Sequence, residues 1–244
     1  MENQSYVTLK ADDSTSLQAY VARPEGVPRA GLMVLQEAFG VNPHIRDIAE
    51  RFAREGYLAI APDLFHRTSP GLTGGYKEFP AMVPHIRAIK DTDLEADIRA
   101  AHSWLVSELP QGVPVCSIGY CMGGRAACMA ALTVPLAGAV SYYGGGIGPH
   151  QFFDSLVDRL PDIGAPILMF WGGLDRNIPV ASIRLAEDKL TEVKKPFTSV
   201  TFSYADHGFF CDARSTYNAE AAAQSWTLTK EFLAACLKET FTLV

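Results

Sequence analysis

Residues 117–124 read Ser-Ile-Gly-Tyr-Cys-Met-Gly-Gly. They follow the short apolar run Val113-Pro-Val-Cys-Ser-Ile118 and precede the alanine-rich, helix-like run Arg125 to Leu132. Gly119-Tyr-Cys-Met-Gly123 matches the G-x-S-x-G pattern of a nucleophile elbow, with cysteine in the place of serine. Such an elbow is a sharp strand-to-helix turn that holds its central residue in a strained conformation. Glycine is needed two residues before and two after, because the chain packs too tightly there for a Cβ. The pattern is short, and the strand before it and helix after it are what give it meaning. A buried cysteine in a tight Gly-rich turn is the plainer reading, since free cysteine often serves as a small core residue.

Working outward, strand-like runs alternate with helix-like runs. Tyr6 to Lys10 and Leu17 to Arg23 alternate apolar and polar residues and read as an N-terminal hairpin. Gly31-Leu-Met-Val-Leu-Gln36 and Tyr57-Leu-Ala-Ile-Ala61 are continuous apolar runs, the mark of strands buried on both faces. The helix His44 to Glu55 lies between them, with Gly56 at its end. A helix over Asp91 to Glu108 leads to the elbow strand. Strands at Leu136–Tyr142, Pro166–Trp171 and Thr198–Phe202 follow, with helices over Pro179 to Val193 and Arg214 to Lys238. This alternation predicts an α/β fold: a mostly parallel sheet with helices on both faces, in one domain spanning residues 1–244. Residues 66–90 hold glycines, prolines and little periodicity, and read as a long loop acting as a lid or substrate wall.

Composition narrows the function. The 244 residues carry 21 Lys+Arg against 27 Asp+Glu, a net charge of −6, with no basic cluster. Nucleic acid and anionic membranes are therefore not expected as partners. No apolar run approaches the ~18–20 residues that span a bilayer, and Met1 to Tyr6 lacks the basic and apolar regions of a signal peptide, so a cytoplasmic location is expected. Cys116, Cys121, Cys128, Cys211 and Cys236 are odd in number and form no C-x-x-C pair, which disfavours both a disulfide framework and a zinc site. No cofactor is expected.

A nucleophilic cysteine needs a base, a group that orients the base, and donors for an oxyanion. His207, in Tyr204-Ala-Asp-His-Gly-Phe209, lies after the last predicted strand and is the candidate base. His66, His85 and His150 are alternatives in loops or after a strand. Asp175, in Trp171-Gly-Gly-Leu-Asp175, is the candidate orienting acid, with Asp206 as its rival. The order nucleophile, acid, histidine is that of the α/β-hydrolases. Glu37 directly follows an apolar strand, so it either reaches the Cys121 thiol or faces solvent. The backbone amides of Ala38 and Met122 are the expected oxyanion donors.

These residues resemble the dienelactone hydrolase (carboxymethylenebutenolidase-like) family of the α/β-hydrolase fold. The resemblance rests on Gln36-Glu-Ala-Phe-Gly-Val-Asn42, Ala61-Pro-Asp-Leu-Phe65, Gly119-Tyr-Cys-Met-Gly-Gly124, Tyr142-Tyr-Gly144, Trp171-Gly-Gly-Leu-Asp175 and Ala205-Asp-His-Gly-Phe209, in that order. It implies a Cys121–His207–Asp175 triad and a small ester or lactone as substrate, hydrolysed through a thioester. It further implies that Glu37 accepts the thiol proton when substrate enters. The family also binds a substrate carboxylate with arginines. Here Tyr76 to Pro84 contains no arginine, and Cys211 stands where the second would come. Arg67, Arg87, Arg176 and Arg214 remain as sources of an anion site, with Tyr143 as a further substrate contact. The assembly expected is a monomer or small homo-oligomer. A non-catalytic hydrolase-like binding protein and a thiol redox sensor are the alternative readings. A metal-dependent hydrolase is the least favoured, since no H-E-x-x-H motif is present.

Overall fold

The computed structural model describes residues 4–238. Its strands are β1 (Gln4–Lys10), β2 (Ser16–Ala22), β3 (Ala30–Leu35), β4 (Tyr57–Pro62), β5 (Val115–Tyr120), β6 (Gly138–Tyr142), β7 (Ile167–Gly172) and β8 (Phe197–Phe202). They form one sheet in the order β1-β2-β4-β3-β5-β6-β7-β8. The β1–β2 and β2–β4 pairs are antiparallel and all later pairs are parallel. Every residue of β3 to β7 is buried, which is why β3, β4 and β7 are unbroken apolar runs.

The helices are α1 (Pro43–Arg54), α2 (Phe79–Ala88), α3 (Asp91–Glu108), α4 (Met122–Thr133), α5 (Val180–Glu192) and α6 (Ala219–Cys236). From β3 the chain crosses through α1 to β4 on one side. It then returns through α3 to β5 on the other side of β3. Right-handed crossovers running in opposite directions place their helices on opposite faces. On one face α1 meets α6 through the Phe52 and Trp226 rings, 4.7 Å apart; α3 and α4 pack together. The reversal of strand order falls between β3 and β5. In a sheet of this kind the crevice beyond the carboxyl ends of those two strands is the natural ligand site.

Two expectations are corrected. Residues 66–90 are not all loop, because α2 occupies Phe79–Ala88. Pro80 sits in its first turn, where an amide would lack a partner in any case. Met82 and Ile86, four residues apart, are its buried side. The last helix begins at Ala219, not Arg214, with the Asn218 side chain accepting the Ala221 amide at 3.0 Å as its cap. Residues 208–217 instead run through turns, with Cys211 N–H on the Gly208 carbonyl and Arg214 N–H on the Cys211 carbonyl. Among the described residues no helix is long and apolar enough to cross a membrane.

Candidate active site

The end of β5 turns abruptly into α4 at Cys121, which has φ 57° and ψ −121°. A non-glycine residue in this region is strained, at a cost of about 1–3 kcal/mol. The two flanking glycines make the turn possible. A Cβ on Gly119 would run into the Gly123 carbonyl, and one on Gly123 into the Leu35 carbonyl at the end of β3. The backbone therefore closes on itself and lifts the thiol to the mouth of the crevice, where Cys121 is half-buried.

His207 meets that thiol from the turn after β8. Its Nδ1 lies 2.7 Å from Asp175 Oδ2, and the imidazole faces Cys121. The Asp175 side chain is only 2% exposed, and its other oxygen accepts the Asn177 amide at 2.7 Å. Asp206 is engaged elsewhere: its Oδ1 accepts the His207 backbone amide at 2.6 Å. The structure thus brings Cys121, His207 and Asp175 together and sets Asp206 aside from the imidazole. Burial works against a charged imidazole, but the facing Cys121 and the hydrogen bond to Asp175 outweigh it and push His207 up to about 10. The same histidine partner holds Asp175 below the usual carboxylate range, against the opposing effect of its burial.

Glu37 follows β3 and is wholly buried. Its Oε1 accepts from Arg214 Nη1 at 3.1 Å, while its Oε2 has no partner. Its only hydrogen bond among the described residues thus runs to Arg214, and none to Cys121 is formed. The Arg214 guanidinium lies over the rings of Phe39 and Tyr76, 5.7 and 5.4 Å from their centroids. Cys211 donates its thiol to the Tyr76 hydroxyl at 3.0 Å.

In front of the thiol is a cavity of about 160 Å³. Ala38, Cys121, Met122, His207 and Arg214 line it, as does His150, and so do residues that pattern reading alone does not single out: Phe39, Phe79, Ile86, Phe152, Phe153 and Asn177. The buried spacing in α2 and the Phe152-Phe153 pair are the signals that point to them. The Ala38 and Met122 amides have no hydrogen-bond partner among the described residues, as free oxyanion donors require.

The other substrate-side candidates lie elsewhere. Arg67 turns away from the cavity and binds Asp97 at 2.7 Å and Asp13 at 2.5 Å. Arg87 is exposed at the rim, with its guanidinium 5.6 Å from the Phe152 ring; Arg176 is exposed. Tyr143 is fully buried behind His207, with ring centroids 5.0 Å apart, and does not line the cavity. Of the arginines, Arg214 alone lines it.

The sequence model described as the dienelactone hydrolase family matches residues 17–237. A Synechocystis sp. protein provisionally named a carboxymethylenebutenolidase is 36% identical over 239 residues, covering 93% of this chain and 95% of that protein. One of the same provisional name from Escherichia coli strain K12 is 34% identical, covering 86% of this chain and 79% of its own. Among solved structures, a provisionally assigned dienelactone hydrolase of Klebsiella pneumoniae superposes with a TM-score of 0.83 at 29% identity. That match covers 94% of this chain and 99% of the other. The fold is the α/β-hydrolase fold.

Proposed function

The chain belongs to the dienelactone hydrolase family, and from that premise we propose that it hydrolyses small activated esters or lactones through a thioester on Cys121. The observation that carries this reading is the His207 imidazole, held between the Cys121 thiol and the buried Asp175 carboxylate. That is the arrangement of nucleophile, base and orienting acid.

The geometry supports the following chemistry. The Cys121 thiolate attacks the carbonyl carbon, and the oxyanion sits on the Ala38 and Met122 amides. The C–O bond breaks, and His207 as imidazolium protonates the departing alkoxide or enolate. Neutral His207 then takes a proton from water, whose hydroxide attacks the thioester. The acid product leaves and the thiolate is restored. Thiolates suit esters with good leaving groups, which favours enol esters and lactones. The cavity volume suits a small substrate with an apolar body against Phe39, Phe79 and Phe152. A carboxylate on that substrate would compete with Glu37 for Arg214 and free Glu37 to take the thiol proton, which returns to the sulfur once the acid product has left. The free thiols suit a reducing, cytoplasmic setting.

Cys121→Ala is expected to lower turnover of p-nitrophenyl acetate by at least about a thousandfold, given what loss of a nucleophile costs in acyl transfer. An acyl adduct on wild-type Cys121 should appear by mass spectrometry at early times. Turnover that survives the substitution would sink the proposal.

A further inference from the structure

Beneath Arg214 lies a second group of reactive side chains, contributed by three separate elements. Glu37 comes from the end of β3, His44 from the first turn of α1 and Cys211 from the turns after β8. A carboxylate oxygen, an imidazole nitrogen and the sulfur of these residues all lie within 4.8 Å of one another. Two atoms of the group are unsatisfied. Glu37 Oε2 and His44 Nε2 are buried with no hydrogen-bond partner, in residues 0% and 8% exposed. An unpaired buried polar atom ordinarily costs about 1–3 kcal/mol, so two in one cluster call for a ligand that satisfies both.

We infer that Glu37, His44 and Cys211 form a site for a thiophilic divalent cation, of which zinc is the best match, and that its occupancy shuts the hydrolase off. Thiolate, imidazole and carboxylate together are the donor types zinc prefers. Zinc bonds of about 2.0–2.3 Å place tetrahedral donors roughly 3.3–3.7 Å apart, so small side-chain rotations would close the cluster on the ion. Supporting contacts are already present. Arg214 occupies Glu37 Oε1 and leaves Oε2 free. Tyr76 sits on the Cys211 sulfur, and Asn42 Nδ2 donates to the Tyr76 hydroxyl at 3.1 Å.

Binding is balanced in protons and charge. The Cys211 S–H bond breaks, its proton passes to solvent, and a zinc–sulfur bond forms. The Tyr76 hydroxyl then turns from acceptor to donor toward the thiolate. The thiolate and the Glu37 carboxylate set two negative charges against the two of the ion, and with Arg214 still charged the site gains one net positive charge. Arg214 keeps its own charge at the cavity wall, with its side chain 18% exposed. The inhibition rests on the proposed role of Glu37: a carboxylate bound to metal cannot accept the thiol proton.

The test is made on the full chain carrying Cys121→Ala, so that the nucleophile cannot itself bind metal. Equilibrium dialysis against zinc is expected to show one ion per chain. Cobalt substitution should produce a thiolate-to-cobalt charge-transfer band. Adding Cys211→Ala or His44→Gln should weaken binding at least about tenfold, since loss of a supporting partner alone costs 10–100-fold; Cys211→Ala should also abolish the band. Circular dichroism and melting curves establish that each variant is folded. Absence of binding in the Cys121→Ala protein, or binding unchanged by either added substitution, overturns the site. Activity separates the two proposals. In the protein that retains Cys121, zinc should inhibit esterase turnover, and Cys211→Ala should remove that inhibition measured against the variant's own metal-free rate. A site confirmed by dialysis whose occupancy leaves turnover unchanged overturns the shut-off and the role given to Glu37, while the metal site stands.

Discussion

His207 carries opposing influences that can be separated by pH. Burial disfavours its charge, while Cys121 and Asp175 favour it strongly enough to push it up to about 10. In the unfolded chain the same group titrates near about 6.5. A group whose pKa is raised by folding binds more protons in the folded state. Its stabilisation is therefore complete below about pH 6.5 and is lost as pH rises toward 10. Wild-type protein should lose melting temperature across that window relative to His207→Gln, followed by calorimetry in matched buffers. Parallel curves through the window would show that the imidazole gains nothing from its partners.

At the scale of the element, the junction of β5 and α4 governs the site. The first turn of α4 lies against the end of β3 because Gly123 has no Cβ, so the elbow and Glu37 are positioned by the same close approach. Gly123→Ala should force the Leu35 and Gln36 carbonyls away, at a cost of about 1–3 kcal/mol by overpacking. Esterase activity should fall by a hundredfold or more, because a displacement near 1 Å is enough to misalign reacting groups. Gly164 is the control. A Cβ there would meet only the Ala131 carbonyl at 3.5 Å, so Gly164→Ala should stay within about 0.5 kcal/mol of wild type. Urea unfolding of the two variants, read beside their turnover, distinguishes crowding at the elbow from a general effect of losing glycine.

At the scale of the whole molecule, Arg125 in α4 joins the start of α3 to the segment after β6. It is 1% exposed and binds both oxygens of Asp91, at 2.8 and 2.9 Å, at the start of α3. It also donates to the Gly146 and Asp154 carbonyls at 3.2 and 2.8 Å. That second pair holds the segment that carries His150, Phe152 and Phe153 into the cavity. Arg125→Met removes the donors and leaves Asp91 and two carbonyls without them. A loss of about 2–3 kcal/mol is expected from chemical denaturation, at or below the low end for a fully buried ion pair because Asp91 is partly solvated. KM should rise more than kcat falls, since the cavity wall loosens while the triad sits on β5, β7 and β8. An equal fall in kcat with no change in KM would contradict this account of the wall.

Much of this was legible in the chain itself. Unbroken apolar runs announced β3 and β4, because a strand buried on both faces has no polar side to show. Glycines two before and two after Cys121 announced the elbow, because only a missing Cβ allows that approach. The candidate triad was legible as an order of residues after strands, and its members do meet. The helix α2 was obscured by its two prolines, although Met82 and Ile86 kept a helical spacing. Other features had no local signature. Arg214 reaches a carboxylate 177 positions away, and it can do so because residues 208–217 turn and do not continue into α6. Arg67, equally charged, is drawn off by Asp13 and Asp97. The meeting of Glu37, His44 and Cys211 likewise belongs to no pattern of neighbours. Periodicity and turn chemistry act over a few consecutive residues, so the sequence by itself determined the strands, the elbow and the class of fold. Which distant charges and thiols share a buried space depends on how the loops beyond the strand ends pack on one another, and only the tertiary structure decided that.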